Sequence, residues 1–136
     1  MPLNRLSKNN HDKEELIMET QITIKPTLND FGTSLIGHVK ISYDKLVSVF
    51  GKEHSEGSMD NKTLASWSIQ FPDKTVATIY NWKDGKNYDP VDGLDKENID
   101  MWHIGGKDEK AFHYIRLLLW GKAKAGGLGY PPPLYL

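Results

Sequence analysis

Between residues 20 and 120 the apolar positions follow two periods, and the changes from one to the other mark out the elements. Residues 21–25 alternate about Ile22 and Ile24 until Pro26, which has no amide to give a ladder, so a short edge strand is expected. Leu35, Val39 and Ile41 share one parity while His38 and Lys40 take the other, which predicts a second strand. Ser42 then stands where its hydroxyl can accept a first-turn amide, and Asp44 lies at the positive end of the dipole of the helix that follows. Leu46, Val47 and Phe50 give that helix an apolar side, and Gly51 ends it. After a polar loop over 52–62, Trp67, Ile69 and Phe71 alternate with Ser66, Ser68 and Gln70. A turn at 72–74 leads into 76–82, a strand apolar or aromatic on both parities and therefore central in its sheet. Residues 83–98 are polar and turn-rich; 99–104 read as a last strand, broken by Gly105 and Gly106. Asp108 caps a final helix whose stripe is Ala111, Phe112, Ile115, Leu118 and Leu119.

The resulting order, β-β-α-β-β-β-α, implies an α+β fold: an antiparallel sheet with its helices packed on one face. The spacings place Val39, Ile41, Leu46, Phe50, Trp67, Ile69, Phe71, Ile79, Ile104, Phe112, Ile115 and Leu119 inside. Around a single domain at 19–122, residues 1–18 form a polar arm without periodicity, and 123–136 a Gly/Pro-rich tail that cannot continue the helix.

Composition narrows the function classes. With 136 residues, 38% of them hydrophobic, the chain suffices for one core. Its 17 basic and 18 acidic side chains nearly cancel, so it lacks the long-range field that non-specific binding to nucleic acid requires, and nucleic acid is not an expected partner. Arg5 and Arg116 are the only arginines, which leaves little for multi-guanidinium clamps. Without cysteine there is no disulfide framework, thiolate metal site or cysteine nucleophile. No apolar run reaches the length of a membrane span, and 1–15 lack the apolar core of a leader, so no membrane association and a cytoplasmic location are expected.

Candidate chemistry is sparse. The five histidines include no His-x-His or Glu-x-x-His pair, so no metal site is expected; His103 and His113 would meet only if the last strand packs beside the last helix. The acids of 84–100 invite a calcium loop, but with Gly93 as its glycine, Tyr88 and Pro90 would fall at ligand positions and Ile99 where the bidentate acid belongs. The stretch at 83–100 is long for a compact domain and is a candidate binding element through Trp82, Lys83, Asn87 and Tyr88. Gly105, Gly106 and Lys107 lead into a helix whose free amides suit an anion, although two glycines at a tight turn need no ligand. Trp67, Tyr80, Trp82 and Trp102 either line a stacking pocket or fill a core; Trp67 is assigned to the core, and Trp82 and Trp102, which border the loop, to partly exposed positions. No nucleophile elbow for serine hydrolysis is present.

The runs at 37–43, 67–71, 75–83 and 102–106, with Leu46-Val47 and Phe50-Gly51 between them, resemble a group of small proteins of bacteriophages and large DNA viruses, over about 35–116. The resemblance implies viral origin and carries no catalytic residue set. The first reading is a non-enzymatic viral accessory protein, without a cofactor, that binds a host protein in the host cytoplasm through the 83–100 loop with Trp82, Trp102 and His103. The alternative is a binder of a small molecule or nucleotide, with its anion at Trp102, Gly105, Gly106 and Lys107. An enzyme of unrecognised type is third.

Overall fold

The alternation of small polar and large apolar residues after residue 65 becomes a hairpin that organises the rest of the fold. In the computed structural model, which describes residues 21–121 and 124–125, β4 (Ser66–Gln70) and β5 (Val76–Tyr80) pair antiparallel, with Trp67 opposite Ile79 and Ile69 opposite Ala77. Lys74, at φ 71°, closes the turn between them, and Asp73 Oδ1 accepts the Thr75 amide at 3.0 Å. The chain enters through β1 (Gln21–Ile22), β2 (Lys25–Pro26) and β3 (Ser34–Lys40) before helix α1 (Tyr43–Phe50). It leaves through a 3-10 turn (Lys96–Asn98), β6 (Met101–Gly106), helix α2 (Glu109–Trp120) and β7 (Lys124–Ala125).

One sheet is five-stranded and antiparallel, in the order β2-β4-β5-β6-β3, so β5 is central as its two-sided apolar pattern requires. The edge strand expected over 21–25 is divided: β1 leaves the main sheet, and the edge is the two-residue β2, in which Pro26 stands opposite Ile69 instead of ending the strand, because the edge asks nothing of its missing amide. The expected arm at 1–18 and the tail beyond residue 125 lie outside the described residues. Lys124 and Ala125 fall within the expected tail but pair in parallel with Gln21 and Ile22.

Both helices lie on the sheet face that carries Trp67, Ile79, Trp102 and Ile104. α1 begins where Ser42 Oγ accepts the Lys45 amide at 3.1 Å and ends where the Gly51 amide returns to Val47 O at 2.8 Å, with Gly51 at φ 83°. Its Tyr43 ring stands 6.0 Å from Trp67 and 6.4 Å from Trp102, which meet edge to face at 5.5 Å. Each indole finds an acceptor, Trp67 Nε1 at Gly51 O (2.8 Å) and Trp102 Nε1 at Ile41 O (3.1 Å). α2 is capped by Asp108, whose carboxylate accepts the Lys110 amide at 2.9 Å, and it buries Ala111, Tyr114, Ile115 and Leu117–Leu119. Of the positions expected inside, all are buried except Ile41 and Phe112, which are half-buried against the core.

Three expectations need correction. Trp102 is 0% exposed, because it shares the parity of Ile104 in β6 and therefore the helix-bearing face. Leu35 does not share the inward parity of Val39: it pairs with Gly105 while Gly37 pairs with Ile104, so Ile36 is a bulged extra residue. The bulge turns Leu35 out, 49% exposed, and Ile36 in against the core. The last strand begins at Met101 and runs through both glycines rather than breaking at them.

The 83–98 stretch is long but folded on itself. Gly85 bridges Leu94, and Asp89 Oδ1 accepts the amides of Val91 (3.1 Å) and Asp92 (3.0 Å). Lys96 reaches the buried carboxylate of Glu53, with Nζ 2.6 Å from Oε2, and Tyr43 OH donates to Oε1 at 2.5 Å. Burial alone would raise the Glu53 pKa, but the bonds from Lys96 and Tyr43 outweigh it and hold this carboxyl below its ordinary value. Among the described residues no helix is long and apolar enough to cross a membrane.

Candidate functional site

Alternation along the strands sends the residues between Trp67, Ile79 and Trp102 to the face without helices. Register then sorts them into rows: Ser66, Tyr80, His103 and His38 stand opposite one another across β4, β5, β6 and β3, with Ser68, Thr78 and Gly105 in the next row. The first row is a line of rings. Tyr80 stacks on His103 with centroids 5.3 Å apart, His38 meets His103 edge-on at 4.6 Å, and Trp82 meets Tyr80 edge-on at 6.3 Å.

Two segments rise beside β4 and β5 and turn this part of the face into a groove of about 310 Å³. One wall is the turn at 30–33, where Asp30 Oδ2 accepts from Ser68 Oγ at 2.8 Å and Asp30 O accepts from Thr33 Oγ1 at 2.9 Å. The other is the segment bridged to β4 at Ser55 and Ser66, in which Ser58 Oγ donates to Asp60 Oδ1 at 2.6 Å and accepts the Thr63 amide at 3.0 Å. His54 secures its foot by accepting the Ser68 amide on Nδ1 at 3.0 Å.

Eight of the ten lining residues carry a hydroxyl; the others are Asp30 and Gly57. The wall hydroxyls are engaged within the protein, whereas Ser66 Oγ, Thr78 Oγ1 and Tyr80 OH, on the floor, have no hydrogen-bond partner among the described residues. Burial raises the pKa of the Tyr80 phenol, which therefore stays a donor at neutral pH. Burial and then the neighbouring His38 lower that of His103, against a smaller opposing pull from Asp84, so the imidazole is neutral near pH 7. Its Nδ1 is buried without a partner among the described residues.

The residues singled out from the sequence separate into three places. Trp82 and Tyr88 are 42% and 45% exposed, and Lys83 Nζ lies over both rings, at 5.8 and 6.0 Å, with Lys62 Nζ 5.6 Å from Trp82. Asn87 braces this cluster by donating from Nδ2 to Thr63 O at 3.1 Å. His103 belongs to the ring row; its neighbour is His38, while His113 is exposed on α2 beside Tyr114. Trp102, Gly105 and Gly106 are buried, and Lys107 is exposed.

The two glycines serve packing on opposite faces. A Cβ on Gly105 would overlap Thr78 Oγ1 on the groove side, and one on Gly106 would lie 2.7 Å from Ala111 Cβ and 2.8 Å from Ile36 Cδ1 on the helix side. At the start of α2 the carboxylate of Asp108 already takes the place an anion would have. Among the described residues no three of His, Cys, Asp and Glu gather to hold a metal ion.

Sequence reasoning missed the groove itself: Ser66, Ser68, Thr78 and Asp30. The available signal was the wholly polar outward parity of β4 together with Ser55, Ser58 and Thr63 in the preceding loop. Compared with protein-family models, curated proteins and solved structures, the chain matches none.

Proposed function

We propose that this protein is a non-enzymatic binding protein that receives a small polar molecule in the groove on the helix-free face of its sheet. One observation supports the reading above the others: three uncommitted hydroxyls, of Ser66, Thr78 and Tyr80, form the floor of a concavity whose walls are already hydrogen-bonded in place. Groups fixed before the ligand arrives lose little entropy on binding. At about 310 Å³ the groove lies at the small end of ligand sites, and its hydroxyl lining selects a polar guest over an apolar one. The test is amide chemical-shift mapping with a panel of sugars, nucleosides, nucleotides and amino acids. Shifts should centre on residues 66–68 and 78–80, and Tyr80→Phe or Thr78→Val should weaken binding by about 3–10-fold, the value of one hydrogen bond. Shifts confined to 82–94 would defeat this reading.

A second reading rests on the exposed Trp82 and Tyr88 with Lys83 over both rings. That cluster suits docking to a macromolecule, since aromatic anchors dominate interface energetics. Under the viral resemblance the partner is a host protein in the host cytoplasm. Affinity purification from host cells tests it: Trp82→Ala should lose a partner that the intact chain and Tyr80→Phe both retain.

A further inference from the structure

We propose that the guest of the groove is a neutral polyhydroxylated ring, a saccharide unit, a proposal that rests on the groove being the binding site. Charge is the first argument. Asp30 is the one charged residue of the lining, and no lysine or arginine shares the lining with it. A phosphate or carboxylate entering there would meet a like charge without a compensating cation, a mismatch that selects against anions. The place that the sequence offers an anion, the start of α2, is filled by the protein's own Asp108.

Chemical complementarity is the second. A hydroxyl both donates and accepts, so a floor of Ser66, Thr78 and Tyr80 hydroxyls suits a ligand that offers donor and acceptor together at successive carbons. Asp30 adds an acceptor-only group: Oδ2 is held by Ser68 Oγ at 2.8 Å, which orients Oδ1 without consuming it. Tyr80, protonated and fixed against His103 at 5.3 Å, supplies a donor on a rigid ring. Outside the groove, 6.3 Å from Tyr80, the exposed Trp82, with Lys62 and Lys83 at its ring, stands where a second, linked unit would reach.

The experiment titrates the full-length chain with glucose, galactose, mannose, N-acetylglucosamine and their short oligomers, and in parallel with inorganic phosphate and adenosine monophosphate, reading amide shifts. At least one saccharide should shift residues 66–68 and 78–80, with its oligomer about tenfold tighter, the factor that ~1.4 kcal/mol of added contact supplies. Asp30→Asn is the discriminating variant, because it keeps an oxygen for Ser68 but removes the charge. It should weaken a saccharide by about tenfold and would strengthen an anion. Melting temperatures and wild-type-like spectra of Asp30→Asn and Thr78→Val show that the fold is intact. Phosphate or nucleotide shifts at the groove, strengthened by Asp30→Asn and without a saccharide response, would overturn the saccharide assignment and leave the groove as the site. No shift at 66–68 or 78–80 with any probe would overturn both.

Discussion

Replacing Asn81 tests whether one buried side chain holds a groove wall to the sheet. Asn81 is 0% exposed at the end of β5. Its Oδ1 accepts the amides of Leu64 (2.7 Å) and Ala65 (3.0 Å), its Nδ2 donates to Asp84 Oδ1 (2.8 Å), and its carbonyl accepts from Thr63 Oγ1 (3.2 Å). The side chain thus ties the segment carrying the groove residue Thr63 to the turn that presents Lys83. Asn81→Leu has the same branched side-chain skeleton but strands two amides, each at a cost of about 1–3 kcal/mol, partly offset by the added apolar burial. A net loss of about 3 kcal/mol should move the urea midpoint down by about 2 M for a slope near 1.5 kcal/mol/M, with the slope unchanged. Asn81→Asp keeps both acceptances but sets a second carboxyl against Asp84. That carboxyl's folded pKa would lie above its unfolded value, so the variant loses stability as pH rises through the unfolded value and regains it on acidification. Equilibrium urea unfolding of each variant beside the wild type at pH 3.5 and pH 8, on either side of the unfolded value of about 3.9, measures both effects. A midpoint shift under 0.5 M for Asn81→Leu, or an Asn81→Asp penalty equal at the two pH values, would refute the argument.

Two further outcomes follow from the packing. Glu53→Gln should cost about 3 kcal/mol at pH 7, since it leaves the Lys96 ammonium and the Tyr43 hydroxyl without their carboxylate. Because the folded pKa of Glu53 is depressed, its contribution is complete above the unfolded value near 4.5 and is lost as pH falls through the folded one; urea midpoints between pH 7 and pH 3 should fall more steeply for the wild type than for Glu53→Gln, and parallel curves would count against the triad. Gly106→Ala should destabilise by about 1–3 kcal/mol, because its Cβ meets Ala111 Cβ at 2.7 Å and that atom cannot rotate away. Lys107→Ala, at an exposed position, should stay within about 0.5 kcal/mol; urea unfolding of both variants measures this, and equal effects of the two changes would contradict the packing role of Gly106.

The periods that defined the elements were legible because each is local. Trp67, Ile69 and Ile79 announce an inward face by spacing alone, and Ser42 and Asp108 announce helix starts by the amides they accept. Register is not local. A bulge at Ile36 has no composition of its own, and it alone turns Leu35 outward and brings Gly37 beneath Phe112, where a Cβ would lie 2.8 Å from the ring. Trp102 is ambiguous for a related reason: its place at the border of the loop suggests partial exposure, while its parity with Ile104 assigns it to the core.

The glycine pair shows the same ambiguity. Two adjacent glycines before a helix are compatible with an anion loop or with close packing, and the sequence offers no means of choosing between them. The neighbours show the packing: Thr78 stands beside Gly105 on one face, and Ile36 and Ala111 crowd Gly106 on the other. Gly105 thereby leaves room for the Thr78 hydroxyl and for the edge of the Tyr80 ring, 3.5 Å from where its Cβ would be. Gly105, which the sequence leaves open between an anion's seat and a tight turn, thus leaves space at the groove floor by having no side chain there. Hydroxyl sites of this kind escape motif reading because serine and threonine carry no spacing signature; only the pairing of Ser66 with Tyr80 and Ser68 with Thr78 collects them on one surface.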